Sequence, residues 1–460
     1  MDIRRFLGNA ISISSIHQTY ETIKYCLLFI FILVAAMLPI IDVLSNAFLR
    51  NDLTVFDHIQ THRAKECAHL RIMFCTEEAS AVPLDVAVNI SSRVNITSYF
   101  NGPRAWFFSK QTGMQQQRQN GPSSLPLEYV FGFDSEFALA MDDFIHRRSR
   151  PTLDRRSLID VLKLKSEQEN IRFDVMPILY ELVRHYPDTE NTAAATRAMV
   201  CIKLLNFVDW NRFQASPEQL HFTLPFETLI ERIQPDIASL LSSTDVSTVI
   251  QYQTARFRFN QALLLRFTQL WSAHQHQGTD IVFNRLLTWC LCQFDFLPMH
   301  SLSLVWSGIM RKDHSPLFDA LIHPTANLFQ AVENMAWQMT HLHWLEEAAS
   351  SSRHSAFILP YCVSCHDTWH QLLNLNPVQC MLIDSENAII NFIRVYEKEF
   401  RDAMYACLDH RYKKNCNPRD FEFCKQSKTT LSPQQLIELI QNEENALSHV
   451  IAREEQTEYS

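Results

Sequence analysis

The chain has 460 residues, 47% of them hydrophobic and 11% aromatic, with a formal charge of −9 at pH 7. That length and apolar content exclude a disordered chain, and the acidic balance argues against a dedicated nucleic-acid binder, which needs positive surface for a phosphate backbone. Only seven glycines are present, too few for the tight phosphate-binding turns of Rossmann folds or P-loops, so helices joined by short polar turns are expected.

Residues 1–24 form a short tail ahead of the apolar run Tyr25–Ile41, which carries no charge and is bracketed by Lys24 and Asp42. The run falls at the lower end of the roughly 17–25 residues needed to span a bilayer. An uncleaved anchor over 25–44 is therefore expected, ahead of a cleaved signal peptide or a buried core helix. Arg4 and Arg5 would suit a signal peptide, but Leu38-Pro39-Ile40-Ile41 is a poor cleavage site. Basic residues flank the run almost evenly, and the short tail makes a cytoplasmic amino terminus the default. The rest would then lie in the secretory lumen, outside the cell or on a virion surface.

Residues 45–101 read as a membrane-proximal mixed segment. A helix is expected over Val55–Cys75 and a strand over Val82–Tyr99, where Val86, Val88, Ile90, Val94 and Ile96 alternate. The same stretch holds two glycosylation sequons, at Asn89 and Asn95. Residues 102–126, rich in Gly, Pro and Gln, form the linker. A helical domain is expected over 127–350, with helices near 157–185, 192–209, 225–242, 249–275 and 281–297. Leu328, Val332, Met335, Met339 and Leu342 trace a narrow apolar seam on a further helix. The pentapeptides from Ser216 and from Ser432 both place Ser at a cap, Pro next and Gln three residues after the Ser, marking two helix starts. The second opens the carboxy-terminal helix of 431–460.

Residues 351–430 read as a cysteine-rich helical module, in which Ile389, Phe392, Ile393, Tyr396, Phe400, Met404 and Cys407 share one apolar helix face. Six of the twelve cysteines, Cys362, Cys365, Cys380, Cys407, Cys416 and Cys424, fall here; in an oxidising lumen they are disulfide candidates, with fifteen possible pairings. In a reducing compartment Cys362, Cys365 and His370 match the first three ligands of a zinc knuckle. The fourth position is then Leu375, leaving Cys380 as a looser ligand. Cys362-Val363-Ser364-Cys365-His366 also has the form of a c-type haem attachment, but the cysteine-dense surroundings favour disulfides and no cofactor is expected. In cysteine spacing alone, Cys362, Cys365, Cys380 and a helix ending at Cys407 resemble lumenal cysteine-rich helical modules of membrane accessory subunits. The osteopetrosis-associated transmembrane protein and the sodium-leak channel auxiliary factors are examples.

His341 and His343 stand two apart on one helix and point away from each other, so they cannot share a metal; His341 shares a face with Trp337 and Trp344. His274 and His276 have no third ligand nearby. Asp142-Asp143 and Glu346-Glu347 read as solvated pairs, and no G-x-S-x-G or H-E-x-x-H string occurs. The expected fold is mostly α: one amino-terminal transmembrane helix, a large helical soluble region and a small disulfide-rich helical module. The expected role is a non-catalytic binding or accessory protein, in contact with the membrane through 25–44 and with other proteins. The alternatives are a membrane-anchored enzyme without a recognisable motif and a reducing-side protein organised by zinc.

Overall fold

A computed structural model describes residues 40–50, 65, 67–79, 81–84, 89–91, 94–109, 127–147, 153–185, 189–217, 219–311, 315–351, 357–408 and 431–458. In chain order the elements begin with α1 (Ile40–Leu49), β1 (Leu70–Thr76), β2 (Val82–Pro83), β3 (Asn89–Ser91), β4 (Val94–Ser98), β5 (Arg104–Ser109) and β6 (Leu127–Phe133). There follow α2 (Ser135–Ile145), α3 (Arg155–Glu167), β7 (Ile171–Asp174), α4 (Met176–His185), α5 (Thr189–Leu205), α6 (Trp210–Ala215) and α7 (Phe226–Leu241). The long helix α8 (Thr244–His274) leads to α9 (Thr279–Phe294), α10 (Met299–Val305), the short α11 (Asp319–Ile322) and α12 (Leu328–Ser350). The chain closes with β8 (Phe357–Ser364), α13 (Asp367–Leu375), β9 (Val378–Asp384), β10 (Ile389–Arg394), α14 (Glu397–Cys407) and α15 (Pro433–Glu458).

The strands form two five-stranded sheets. The first, in the order β10-β9-β1-β5-β2, is antiparallel throughout; the second, β3-β4-β8-β6-β7, is parallel across β8, β6 and β7. Both sheets take strands from the two ends of the described chain, and the helices between β6 and β8 fill the space around them. In the first sheet alternate residues serve alternate faces, as a pleat requires. Ile72, Phe74, Cys380, Leu382 and Ile393 meet Ile40, Ile41, Val43, Leu44 and Phe48 of α1, while Met73, Cys75, Met381 and Ile383 face the main core. Phe107 of β5 meets Phe357 of β8 edge to face at 4.9 Å, joining the two sheets. In β6, Phe133 packs on Phe137 of α2, whereas Gly132 lies on the opposite face beneath α12. A Cβ at Gly132 would overlap the Trp344 ring and Pro177, so only glycine lets α12 and α4 sit this close to the strand.

This architecture corrects the mostly-α, membrane-anchored expectation. About 64% of the described chain is helical, but two five-stranded sheets, one antiparallel and one mixed, organise it. No described helix is long and apolar enough to cross a membrane. Residues 25–39 of the expected anchor lie outside the described residues; residues 40–44 belong to α1, whose apolar side chains cover a sheet face. Among the described residues no disulfide-rich helical module is present either. Residues 357–394 supply β8 to the middle of the second sheet and β9 and β10 to the interior and edge of the first, and no disulfide joins any two described cysteines. The expected helix over 389–407 splits into β10 and α14, because the apolar residues at its start line a strand. The expected helix reaching Cys75 instead ends in β1, and the 157–185 helix is broken by β7.

Of the two expected helix starts, one forms. At Ser432 the capping box closes in both directions: Gln435 N donates to Ser432 Oγ at 3.3 Å and Ser432 N to Gln435 Oε1 at 2.8 Å. After Ser216 the chain turns instead, and α7 begins at Phe226. The capped helix α15 lies along α8, burying Leu436, Ile440, Leu447 and Ile451 and with them the Glu443 carboxylate. Arg266 approaches Glu443 only to 3.6 Å, and Glu443 Oε2 accepts no hydrogen bond. Burial therefore pushes its pKa up, against the pull of Arg266. A carboxyl raised in the folded state stabilises the fold at low pH and loses that contribution as pH rises through the folded value. Glu443→Gln is thus expected to raise stability by about 1 kcal/mol at neutral pH, the scale of one unsatisfied buried group. In thermal melts the gap should narrow as pH falls toward 4.5, the ordinary glutamate value.

Candidate functional site

The two long helices α8 and α12 run antiparallel, matched by side-chain bonds at two levels. Asn260 Nδ2 donates to Thr340 Oγ1 at 3.0 Å, and Gln253 Nε2 approaches Glu347 Oε1 at 3.4 Å. Ser301 of α10 donates to Asn260 Oδ1 at 2.7 Å, which brings the start of α10 against both. Between these levels α12 presents His343 and Glu346, three residues apart on one helix face. His300, next to Ser301, completes a cluster: its ring meets that of His343 at 4.8 Å, and the ligand atoms of His300, His343 and Glu346 all lie within 4.8 Å of one another. Among the described residues no other group of three His, Cys, Asp or Glu converges in this way.

The sheets hold the carboxylate from the far side. Tyr99, just past β4, donates to Glu346 Oε1 at 2.9 Å, and Arg394, at the end of β10, donates to the same oxygen at 2.9 Å. A second arm of Arg394 donates to the Asn376 carbonyl at 3.0 Å. Glu346 Oε2 turns the other way, 3.3 Å from His343 Nδ1. Burial opposes the Glu346 charge, but the two imidazoles and the Arg394 guanidinium overcome it and hold its pKa well below the usual glutamate value. His300 and His343 are both pushed down, mainly by burial; the charge of Arg394 adds to this at His300 and that of Arg256 at His343, against the pull of Glu346. His300 Nε2 is buried and has no hydrogen-bond partner.

The carboxyl ends of the parallel strands meet at a second polar corner. The chain leaves β6 on the face where Phe137 packs, and leaves neighbouring β8 on the opposite face, where Trp369 of α13 packs on His341 of α12 at 4.8 Å. Such reversals open ligand crevices in many α/β sheets. Here Asp134 ties the corner together, accepting from Phe137 N at 2.7 Å, Ser364 Oγ at 2.6 Å and Cys365 N at 2.9 Å.

The residues singled out in the sequence are scattered across this frame. Cys362 is buried in the middle strand of the second sheet, opposite Thr97; Cys365 lies just past the strand end; Cys380 is buried in the first sheet under α1. Burial pushes all three thiols up, which keeps them protonated. Cys407 closes α14, where its carbonyl accepts from Asn284, and Cys416 and Cys424 lie outside the described residues. His370 pairs with Asn374 at 3.0 Å and stands 3.4 Å from Thr97 Oγ1, so Cys362, Cys365, His370 and Cys380 do not converge on one point. The sequon residues Asn89 and Asn95 face each other across β3 and β4, and Asn95 Nδ2 donates to Asp367 Oδ1 at 2.7 Å. His341 packs among Trp337, Trp344 and Trp369, as its helix face implied, and burial lowers its pKa to about 3. Asp142 and Glu346, read as solvated, are engaged instead: Asp142 pairs with His146 at 3.0 Å. The His343-x-x-Glu346 spacing was visible in the sequence; the approach of His300, Tyr99 and Arg394 was not.

No family model, curated protein or solved structure matches this chain.

Proposed function

We propose that this chain is a binding or accessory protein whose ligand is a divalent transition-metal ion of zinc type, held by His300, His343 and Glu346. The observation that carries this reading is the buried, partnerless Nε2 of His300, on a ring that offers a nitrogen within 4.8 Å of ligand atoms of a second imidazole and an ionised carboxylate. A buried ring nitrogen without a partner is costly, and a metal ion would satisfy it. Neutral imidazole with carboxylate suits a borderline cation such as zinc. Ligand atoms on a tetrahedral zinc stand roughly 3.4 Å apart, given bonds of about 2.1 Å. The His343–Glu346 pair already stands at 3.3 Å. Tyr99 and Arg394 orient the carboxylate by one oxygen and leave the other for the ion, the usual arrangement behind a metal ligand. Bound there, the ion fastens α10 and α12 to the ends of β4 and β10.

Metal-depleted protein is expected to take up about one equivalent of zinc or cobalt(II) and to melt higher when loaded, by the linkage of binding to folding. His300→Ala and His343→Ala should each weaken binding at least about tenfold, the loss of one ligand of a small set. His300→Ala should leave the apo fold intact, since His300 Nε2 bonds to nothing. Uptake that both variants retain, or no uptake by folded wild type, rules the reading out.

A further inference from the structure

We infer that the metal centre is completed from outside the chain by a carboxylate, which Arg256 recognises. The inference rests on the metal reading above and names what that centre binds. Zinc takes four donors, and among the described residues this chain brings three to the point. The cluster reaches solvent: the side chains of His343 and Glu346 keep 17% and 20% exposure. On the sheet side Arg394 is buried and engaged with Glu346 and the Asn376 carbonyl. The helix side is different.

Because α8 and α12 are matched at Asn260–Thr340 and Gln253–Glu347, Arg256 falls on α8 between these levels, alongside His343. Its guanidinium is held ready. It lies 4.2 Å over the ring of Tyr252, donates to the Tyr252 hydroxyl at 2.6 Å, and stands 3.4 Å from Glu347 Oε1. Tyr252 itself is 47% exposed, among the few large apolar side chains that the described surface leaves open. A stacked arginine beside an exposed tyrosine loses little side-chain freedom on binding, which is what makes such pairs effective recognition points.

Charge selects the ligand. Arg256 and Arg394 offset Glu346 and Glu347, and an imidazole must be neutral to ligate a metal, so the charge of the ion is left for an incoming anion. A carboxylate fits both remaining demands. One oxygen fills the fourth position on the metal, the other accepts from the Arg256 fork, and an apolar stem can lie against Tyr252. Benzoate and the carboxy-terminal group of a peptide share this chemistry.

The test uses the full-length chain loaded with cobalt(II), whose visible absorption reports coordination. Benzoate is expected to shift the band saturably. A short peptide with a free terminal carboxylate, compared with the same peptide amidated, tells whether a chain end is also accepted. Response to benzoate alone assigns the site to small acids; response to both, lost on amidation, assigns it to polypeptide ends as well. Arg256→Gln should weaken the carboxylate at least about tenfold while leaving cobalt affinity within about twofold, the split expected for a group that reads the ligand and not the ion. Tyr252→Ala should weaken it about threefold, the scale of one exposed stacking contact. Cobalt that binds with no response to any carboxylate overturns this inference and leaves the metal reading standing. An equal response in Arg256→Gln, or an equal shift with inorganic phosphate, overturns it too. Absence of cobalt binding removes both readings together.

Discussion

Arg394→Ala is expected to destabilise the protein by about 3–4 kcal/mol, the cost of stripping one partner from a buried ion pair. Arg394 is 8% exposed and joins three things at once: the Glu346 carboxylate, the Tyr99 hydroxyl and the carbonyl of Asn376. Its removal leaves the Glu346 charge in a site whose burial already opposes it, and orphans a buried carbonyl. Arg394→Lys should recover only part of the loss, because an ammonium cannot reach the carbonyl and the carboxylate with a planar fork. The paired change Arg394→Met with Glu346→Leu should be milder than Arg394→Ala, since it removes both charges and keeps the volume. Equilibrium urea unfolding measures each value. A loss below about 1 kcal/mol for Arg394→Ala would place the pair among exposed bridges of little consequence.

Asp134→Ala is expected to cost about 3 kcal/mol, through two separable effects. The first is a helix cap: Asp134 Oδ1 accepts from Phe137 N at the start of α2, a bond whose loss typically costs about 1 kcal/mol. The second is the seam between β6 and β8, where Oδ2 accepts from the Ser364 hydroxyl and the Cys365 amide. Each donor left buried without a partner adds about 1 kcal/mol or more. Asp134→Asn should fall between wild type and Asp134→Ala, because its single carbonyl oxygen can serve the cap or the seam but not both. Hydrogen exchange distinguishes the two effects. In Asp134→Ala both the first turn of α2 and the Ser364–His366 corner should lose protection, and Ser364→Ala should loosen only the corner. Protection unchanged at the corner in Asp134→Ala would show that the seam is held by the strands themselves.

The helices were largely readable from local chemistry. The capping box at Ser432, the seam from Leu328 to Leu342 and the periodic stretches of α7, α8 and α9 each carry their signal within a few residues, because a helix satisfies its backbone locally. The packed side of His341 followed from the same periodicity. Strands were harder, because their hydrogen bonds go to partners far along the chain. The eight residues of β8 are all buried, so no alternation marks them, and their apolar run reads equally well as helix. The two strands that pair with β8, β4 and β6, lie more than 200 residues before it, and no local pattern announces them.

Residues 40–44, at the end of the apolar stretch near the amino terminus, show what composition alone leaves open. Ile40, Ile41, Val43 and Leu44 look the same whether they face lipid or the outer face of a sheet, and only Ile72, Phe74 and Leu382 lying opposite them decide which. The clustered cysteines make the same point. Proximity in sequence suggested bonding, but the pleat and the strand order send Cys362 and Cys380 into different sheets. The candidate site divides along the same line. His343 and Glu346 are three residues apart on a helix and share a face by geometry that any sequence carries within it. His300, Arg394, Tyr99 and Arg256 arrive from four other elements, and their meeting depends on how helices and sheets pack, which is set by the summed burial of the whole chain and not by any short stretch of it.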